Sequence, residues 1–108
     1  MTAVSVIVPV HNAQAHLVPT LTSIARQTLT DLQIIVVDDG STDASAQLVA
    51  DFAAGDDRVT VIPGPAVGSA GAARNAGLAI ADGEYLAFLD ADDLFAPTFL
   101  AKLYAKAV

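Results

Sequence analysis

Apolar positions along the chain switch repeatedly between a strand-like and a helix-like pattern. Val4-Ser-Val-Ile-Val-Pro9 is short and β-branched, as a buried strand should be. Leu17, Leu21, Ile24 and Ala25 follow at helical spacing and predict a helix ending near Gln27. Pro19 lacks an amide hydrogen and so belongs in the first turn of that helix. Leu32-Gln-Ile-Ile-Val-Val37 is a second strand. Ser41 or Thr42 suits the cap of the next helix, with Asp43 in its first turn and Leu48, Val49 and Phe52 on one face. A short third strand is predicted over Arg58 to Ile62, closed by Pro63-Gly64-Pro65, and a small-residue helix over Ala70 to Ala81, ended by Asp82-Gly83. Glu84 to Leu89 is a fourth strand. Pro97 fits the first turn of a last helix carrying Phe99, Leu100, Leu103 and Tyr104.

Strand and helix alternate four times. That order predicts an α/β fold: a Rossmann-like parallel sheet with helices on both faces and right-handed crossovers. With 108 residues and no linker, repeat or low-complexity stretch, the chain reads as a single domain. Its apolar fraction is 54%, but 22 of those residues are alanine, so the core should be modest in area.

Composition narrows the chemistry. Without cysteine there is neither a disulfide framework nor a thiolate metal site, and a reducing, cytoplasmic setting is the natural expectation. No stretch approaches the roughly 18 to 20 apolar residues of a membrane span. The net charge of −7, with only Arg26, Arg58, Arg74, Lys102 and Lys106 basic, argues against a nucleic-acid surface or direct binding to an anionic bilayer. Five of the twelve acids fall in two clusters, Asp38–Asp39 and Asp90, Asp92, Asp93.

In a parallel sheet of this kind, ligands bind beyond the carboxyl ends of the strands, where strand order reverses. Every chemically unusual segment of this chain falls at such an end: Pro9-Val10-His11-Asn12, Asp38-Asp39-Gly40, Gly68 to Gly77, and Asp90-Ala-Asp-Asp93. Two carboxylates in Asp90-x-Asp92 repel each other and suit Mn²⁺ or Mg²⁺, although acids are also ordinary where a turn enters a helix. Asp38 and Asp39 can close a strand-end turn. One acid suffices for that, which leaves a second, Asp39, to accept hydrogen bonds from a ring imide or a ribose hydroxyl. Arg74, alone among acids, could pair with phosphate oxygens or with Asp39. His11 could stack on a base or hydrogen-bond it, whereas His16 should face solvent; neither has a metal-ligand spacing partner.

Val4 to Asn12, Val36-Val-Asp-Asp-Gly-Ser-Thr-Asp43, Gly71-Ala-Ala-Arg-Asn-Ala-Gly77 and Gly83-Glu-Tyr-Leu-Ala-Phe-Leu-Asp-Ala-Asp-Asp93 together resemble family 2 glycosyltransferases of the GT-A fold. The resemblance implies the N-terminal, nucleotide-diphospho-sugar-binding half of such a fold. It implies that Pro9, Val10 and His11 line the nucleoside pocket, that Asp39 beside Asp38 contacts a base, typically uracil, and that Arg74 and Asp90 lie by the nucleotide. Asp92 would hold a divalent metal, Mn²⁺ or Mg²⁺, on the diphosphate. His11 stands where that family often has tyrosine.

The implied reaction is inverting transfer of a sugar, from a UDP-sugar, to a hydroxyl of an acceptor glycan, lipid or polymer. In that family the acceptor site and the catalytic base lie further along, and no acid occurs between Leu94 and Val108. The expectation is therefore a chain truncated at its C-terminus, which binds donor but by itself transfers no sugar. Such an enzyme would work in the cytoplasm, at the inner face of the membrane if regions outside this chain anchor it, and an exposed sheet edge would favour self-association. Two alternatives remain open. One is a nucleotide- or partner-binding module without turnover. The other is a haloacid-dehalogenase-like phosphatase, which Phe88 to Leu94 mimics but whose nucleophile motif would follow the first strand.

Overall fold

The computed structural model describes residues 2–66 and 68–107. Its elements alternate as β1 (Val4–Val10), α1 (Leu17–Ala25), β2 (Leu32–Asp38), α2 (Ser45–Ala54), β3 (Val59–Pro63), α3 (Ala70–Leu78), β4 (Tyr85–Phe88) and α4 (Phe99–Ala107). All four strands are parallel, in the order β3-β2-β1-β4. The chain steps outward from β1 to β2 to β3, then returns to the far side of β1. Because crossovers keep one hand, that reversal sends α3 to the opposite face of the sheet from α1 and α2.

Side chains on a strand alternate between faces, so the two faces have separate cores. Val4, Val6, Val8 and Val10 pack with Ile34 and Val36 against Leu17, Leu21, Ile24, Val49 and Leu100. On the other face Ile7, Ile35 and Val37 meet Ala73 of α3. Small residues on α3 let the helix lie close to the sheet. As the alanine content implies, this second core is thin.

The helix boundaries follow from local bonding at each end. α1 starts at Leu17, with Pro19 in its first turn as the sequence requires. The start of α2 corrects the sequence reading. Neither Ser41 nor Thr42 caps it; the N-cap is Ala44, which has no side chain to do so. Asp43 lies before the helix rather than in its first turn, and its Oδ1 accepts from the Ser45 amide. Asn12 Oδ1 accepts from the Thr42 and Asp43 amides, and Gln14 Oε1 from the Ala44 amide, in the turn that leads in. α3 stops at Leu78, three residues before Ala81, because the chain tightens into i→i+3 bonds at Ile80 and Ala81. α4 begins at Phe99, two residues after Pro97. Its Leu100 amide donates to the buried Gln27 side chain, which also donates to the Ala96 carbonyl.

Gln33 draws the α3–β4 connection onto the sheet. Its Oε1 accepts from Ser5 Oγ and the Asp82 amide, and its Nε2 donates to the Ile80 carbonyl. Ser5 Oγ in turn accepts from the Gly83 amide at 2.8 Å. Gly83 therefore lies against the β1 backbone, where an added Cβ would sit 2.4 Å from the Ser5 amide nitrogen. Backbone cannot yield as a side-chain tip can. Gly83→Ala is expected to lower stability by at least about 2 kcal/mol. Gly71→Ala, whose Cβ meets nothing nearer than 3.6 Å, should be neutral or stabilise by up to about 1 kcal/mol through helix propensity. Urea unfolding of the two variants checks the contrast.

Candidate functional site

β1 pairs with β2 as far as Val10↔Asp38, but with β4 only as far as Ile7↔Phe88. β4 thus leaves the sheet first, and a notch opens beyond it under the overhanging end of β1. Pro9, His11, Asp39 and Asp90 line a cavity of about 170 Å³ there, closed on one side by Gly68, Ser69 and Ala70 at the start of α3. A neighbouring hollow of about 270 Å³ shares Pro9 and His11 and adds His16 and Asp92. The two flank one cleft at the point where strand order reverses.

Asp39 is the most enclosed charged group in this region, with 6% of its surface exposed. Its Oδ1 accepts from the Ala66 amide, and among the described residues no group donates to its other oxygen. Gly64 packs directly on it; a Cβ there would meet Asp39 Oδ1 at 2.6 Å, so only glycine lets this loop close over the carboxylate. The Asp39 carbonyl accepts from His11 Nδ1 at 2.8 Å. A carbonyl can only accept, so Nδ1 carries the proton and Nε2 is left as the acceptor.

Asp90 faces the first cavity, and its Oδ1 is 3.0 Å from an Arg74 guanidinium nitrogen. Of the two acids within the motifs that Arg74 could meet, its partner is Asp90 and not Asp39. Asp90, Asp92 and Asp93 are all exposed and offer carboxylate oxygens within 4.8 Å of one another. Three oxygens that close suit a hard divalent cation, whose remaining positions stay open to water or phosphate. Asp43 is held below the usual carboxylate range chiefly by the Ser45 hydroxyl, and Asp56 by the Arg58 guanidinium.

Two residues expected at the site are absent from it. Val10 is 1% exposed and packs in the core with Val8 and Leu17, and only its carbonyl reaches the site edge, accepting from the Asp39 amide. Asp38 closes the turn, its Oδ1 accepting from the Ser41 amide, and it lines neither cavity. One physical reason covers both. Val10 and Asp38 are register partners, so they project to the α1/α2 face, away from the α3 side that bears the cavity.

One supporting residue left no mark in the sequence pattern. Thr20, fully buried on α1, places its hydroxyl 2.8 Å from both the Ala91 and Asp93 carbonyls, across more than 70 positions of chain. It fixes the backbone of the acidic loop from beneath.

Comparison with known proteins gives this geometry a setting. The family described as Glycosyl transferase family 2 matches residues 5–108. Glycosyltransferase GlyG of Streptococcus pneumoniae is 39% identical over 103 residues, which is 95% of this chain and 34% of that protein. The S. aureus protein TarS (residues 1–349), solved in complex with UDP, superposes with a TM-score of 0.89 at 33% identity, over 96% of this chain and 31% of that one. The mannosyltransferase PcManGT from Pyrobaculum calidifontis, solved with GDP-Man and Mn²⁺, superposes at 0.80 with 30% identity, over 87% and 29%. This chain thus spans about a third of the length of each, and the expected N-terminal part of a GT-A fold is borne out.

Thr20→Val keeps the shape of the side chain but leaves the Ala91 and Asp93 carbonyls without their donor. The expected cost is about 1–3 kcal/mol of stability by urea unfolding, and Thr20→Ser should restore it.

Proposed function

Because this chain belongs to glycosyl transferase family 2, we propose that its cleft holds the nucleotide diphosphate of a sugar donor, for inverting transfer to a hydroxyl acceptor. One observation carries the reading. A buried carboxylate that lines the cavity, Asp39, and an exposed acidic cluster, Asp90 to Asp93, open on one cleft between the ends of β1 and β4. The first is suited to a nucleobase and the second to a metal-bound diphosphate.

Asp39 accepts a hydrogen bond from the base, and uracil, with its ring N–H, is the base proposed. His11 and Pro9 form the wall beside it, with His11 Nε2 free to accept a further bond. Asp92 holds Mn²⁺ or Mg²⁺, with Asp90 and Asp93 near enough to share the charge. When bound, the cation neutralises charge developing on the departing diphosphate. Arg74 holds Asp90 in place and can turn its guanidinium to a phosphate oxygen. The UDP seen in TarS and the Mn²⁺ seen with GDP-Man in PcManGT support this assignment, the first also favouring a uracil base. A glycan, lipid or polymer supplies the acceptor hydroxyl, and activation of that hydroxyl is assigned to no residue of this chain.

Two measurements test the reading. UDP should raise the melting temperature more with Mn²⁺ than with EDTA, and Asp92→Ala should abolish the difference. At about 100 times the dissociation constant the added stability is roughly 2.7 kcal/mol. Equal shifts with and without metal would remove the metal from the account. Separately, Asp39→Asn keeps a carbonyl oxygen for the Ala66 amide but loses the charge facing the base. It should weaken UDP binding about tenfold or more, the value of a hydrogen bond to a charged group, while sparing pyrophosphate with Mn²⁺. Unchanged UDP affinity would make Asp39 a loop-closing residue only.

A further inference from the structure

Three of the five basic residues, Arg26, Lys102 and Lys106, lie outside the cleft. Among the described residues none of them forms an ion pair; the pairs present use Arg58 and Arg74. They are not scattered. Phe99, Lys102, Leu103 and Lys106 line one shallow surface of α4, at the spacing i, i+3, i+4, i+7 of a single helical stripe. Leu100 and Tyr104 form the inward stripe, buried and half-buried. Arg26 lies with Val18, Leu94 and Phe95 on a groove of about 470 Å³ between α1 and the turn before α4. The Phe95 and Phe99 rings, stacked with centroids 4.8 Å apart, join groove and stripe into one face. On it Leu94 is 65% exposed, Leu103 44% and Phe99 43%.

We propose that this face docks on an anionic lipid bilayer. The chain-wide charge of −7 conceals a segregation: from Leu94 to Val108 there are two lysines and no acid. Cations interspersed with exposed aromatic and aliphatic side chains complement a surface that is negative at its headgroups and apolar beneath. Lysine stems extend their charge to the headgroups while Phe99 and Leu103 reach below them. The acidic loop adjoins the Leu94 end of this face, whereas Lys102 and Lys106 stand further along α4. Acids more than about 8–10 Å from the contact are screened at physiological salt. A second copy of the chain is the rival occupant, since its acidic surfaces would also attract this face. The face begins one residue beyond Asp93, which sets bound lipid beside the acidic loop. That a lipid then carries the acceptor hydroxyl rests on the donor-site reading above; the docking does not.

Sedimentation with vesicles, without nucleotide or metal, tests the docking alone. The 108-residue chain, and any longer chain that carries it, should bind vesicles of equal phosphatidylcholine and phosphatidylglycerol at low salt. Binding should weaken as salt rises and be slight on phosphatidylcholine alone. Lys102→Gln with Lys106→Gln removes two exposed charges and should leave circular dichroism and melting unchanged. It should lower the partition coefficient roughly twenty-five-fold, at about five-fold per base near an anionic surface. Leu103→Ser should weaken binding as well. Equal binding to both vesicle types, or affinity untouched by the double substitution, would overturn the proposal. So would a longer chain that ignores anionic vesicles, or self-association that the same substitutions abolish while vesicles do not compete with it.

Discussion

β1 has parallel partners on both edges, β2 over seven residues and β4 over four. The position of every group in the cleft follows from that pairing. Parallel alignment brings the carboxyl ends of β1, β2 and β4 to one side of the molecule. The shorter pairing with β4 turns Asp90 out of the sheet beneath Pro9 and His11. The reversal of strand order places α3 on the opposite face, where its first residues close the cavity. Side-chain parity then decides which members of each motif face that cavity and which face the core.

Loops would not hold this arrangement unaided, and they are cross-linked by polar side chains. The segment after β1 and the segment after β2 exchange bonds in both directions. Asn12 and Gln14 accept from the backbone that opens α2, while the amides of Asn12, Ala13 and Gln14 donate to Ser41, Ser45 and Asp43. The Asp39 side chain ties in the loop after β3 through Ala66, and Thr20 ties in the loop after β4. Each strand end is thereby fixed to another element, so the backbone that carries the carboxylates is held by the fold itself. A ligand then meets groups whose ordering has already been achieved in folding.

The sequence shows the element order plainly, because hydrophobic period and turn chemistry are local properties. It also shows that four unusual segments share one edge, since a parallel sheet leaves no other arrangement. What it hides depends on distance or parity. Ser41 and Thr42 look like caps, yet the first helical amide of α2, at Ser45, donates to Asp43, and the turn before it is held by Asn12 and Gln14, about 30 residues earlier. Thr20 reads as an ordinary helix residue until α1 is seen against the acidic loop. Val10 and Asp38 belong to the right motifs, but they occupy the last core-facing position of their strands and so lie on the wrong face. Arg74 stands out as a lone cation among acids, but only the fold selects Asp90 as its partner.

The central claim is that Asp39 and the Asp90–Asp93 cluster serve one bound molecule rather than two unrelated turns. Amide spectra of the isotopically labelled chain with UDP, in the presence of Mg²⁺ and then of paramagnetic Mn²⁺, test it most directly. The account predicts that UDP with Mg²⁺ shifts His11, Asp39 and Ser69 together, and that Mn²⁺ broadens Asp90 to Asp93 with the same UDP dependence. Shifts at Asp39 that saturate independently of broadening at Asp92, or broadening unaffected by UDP, would contradict it.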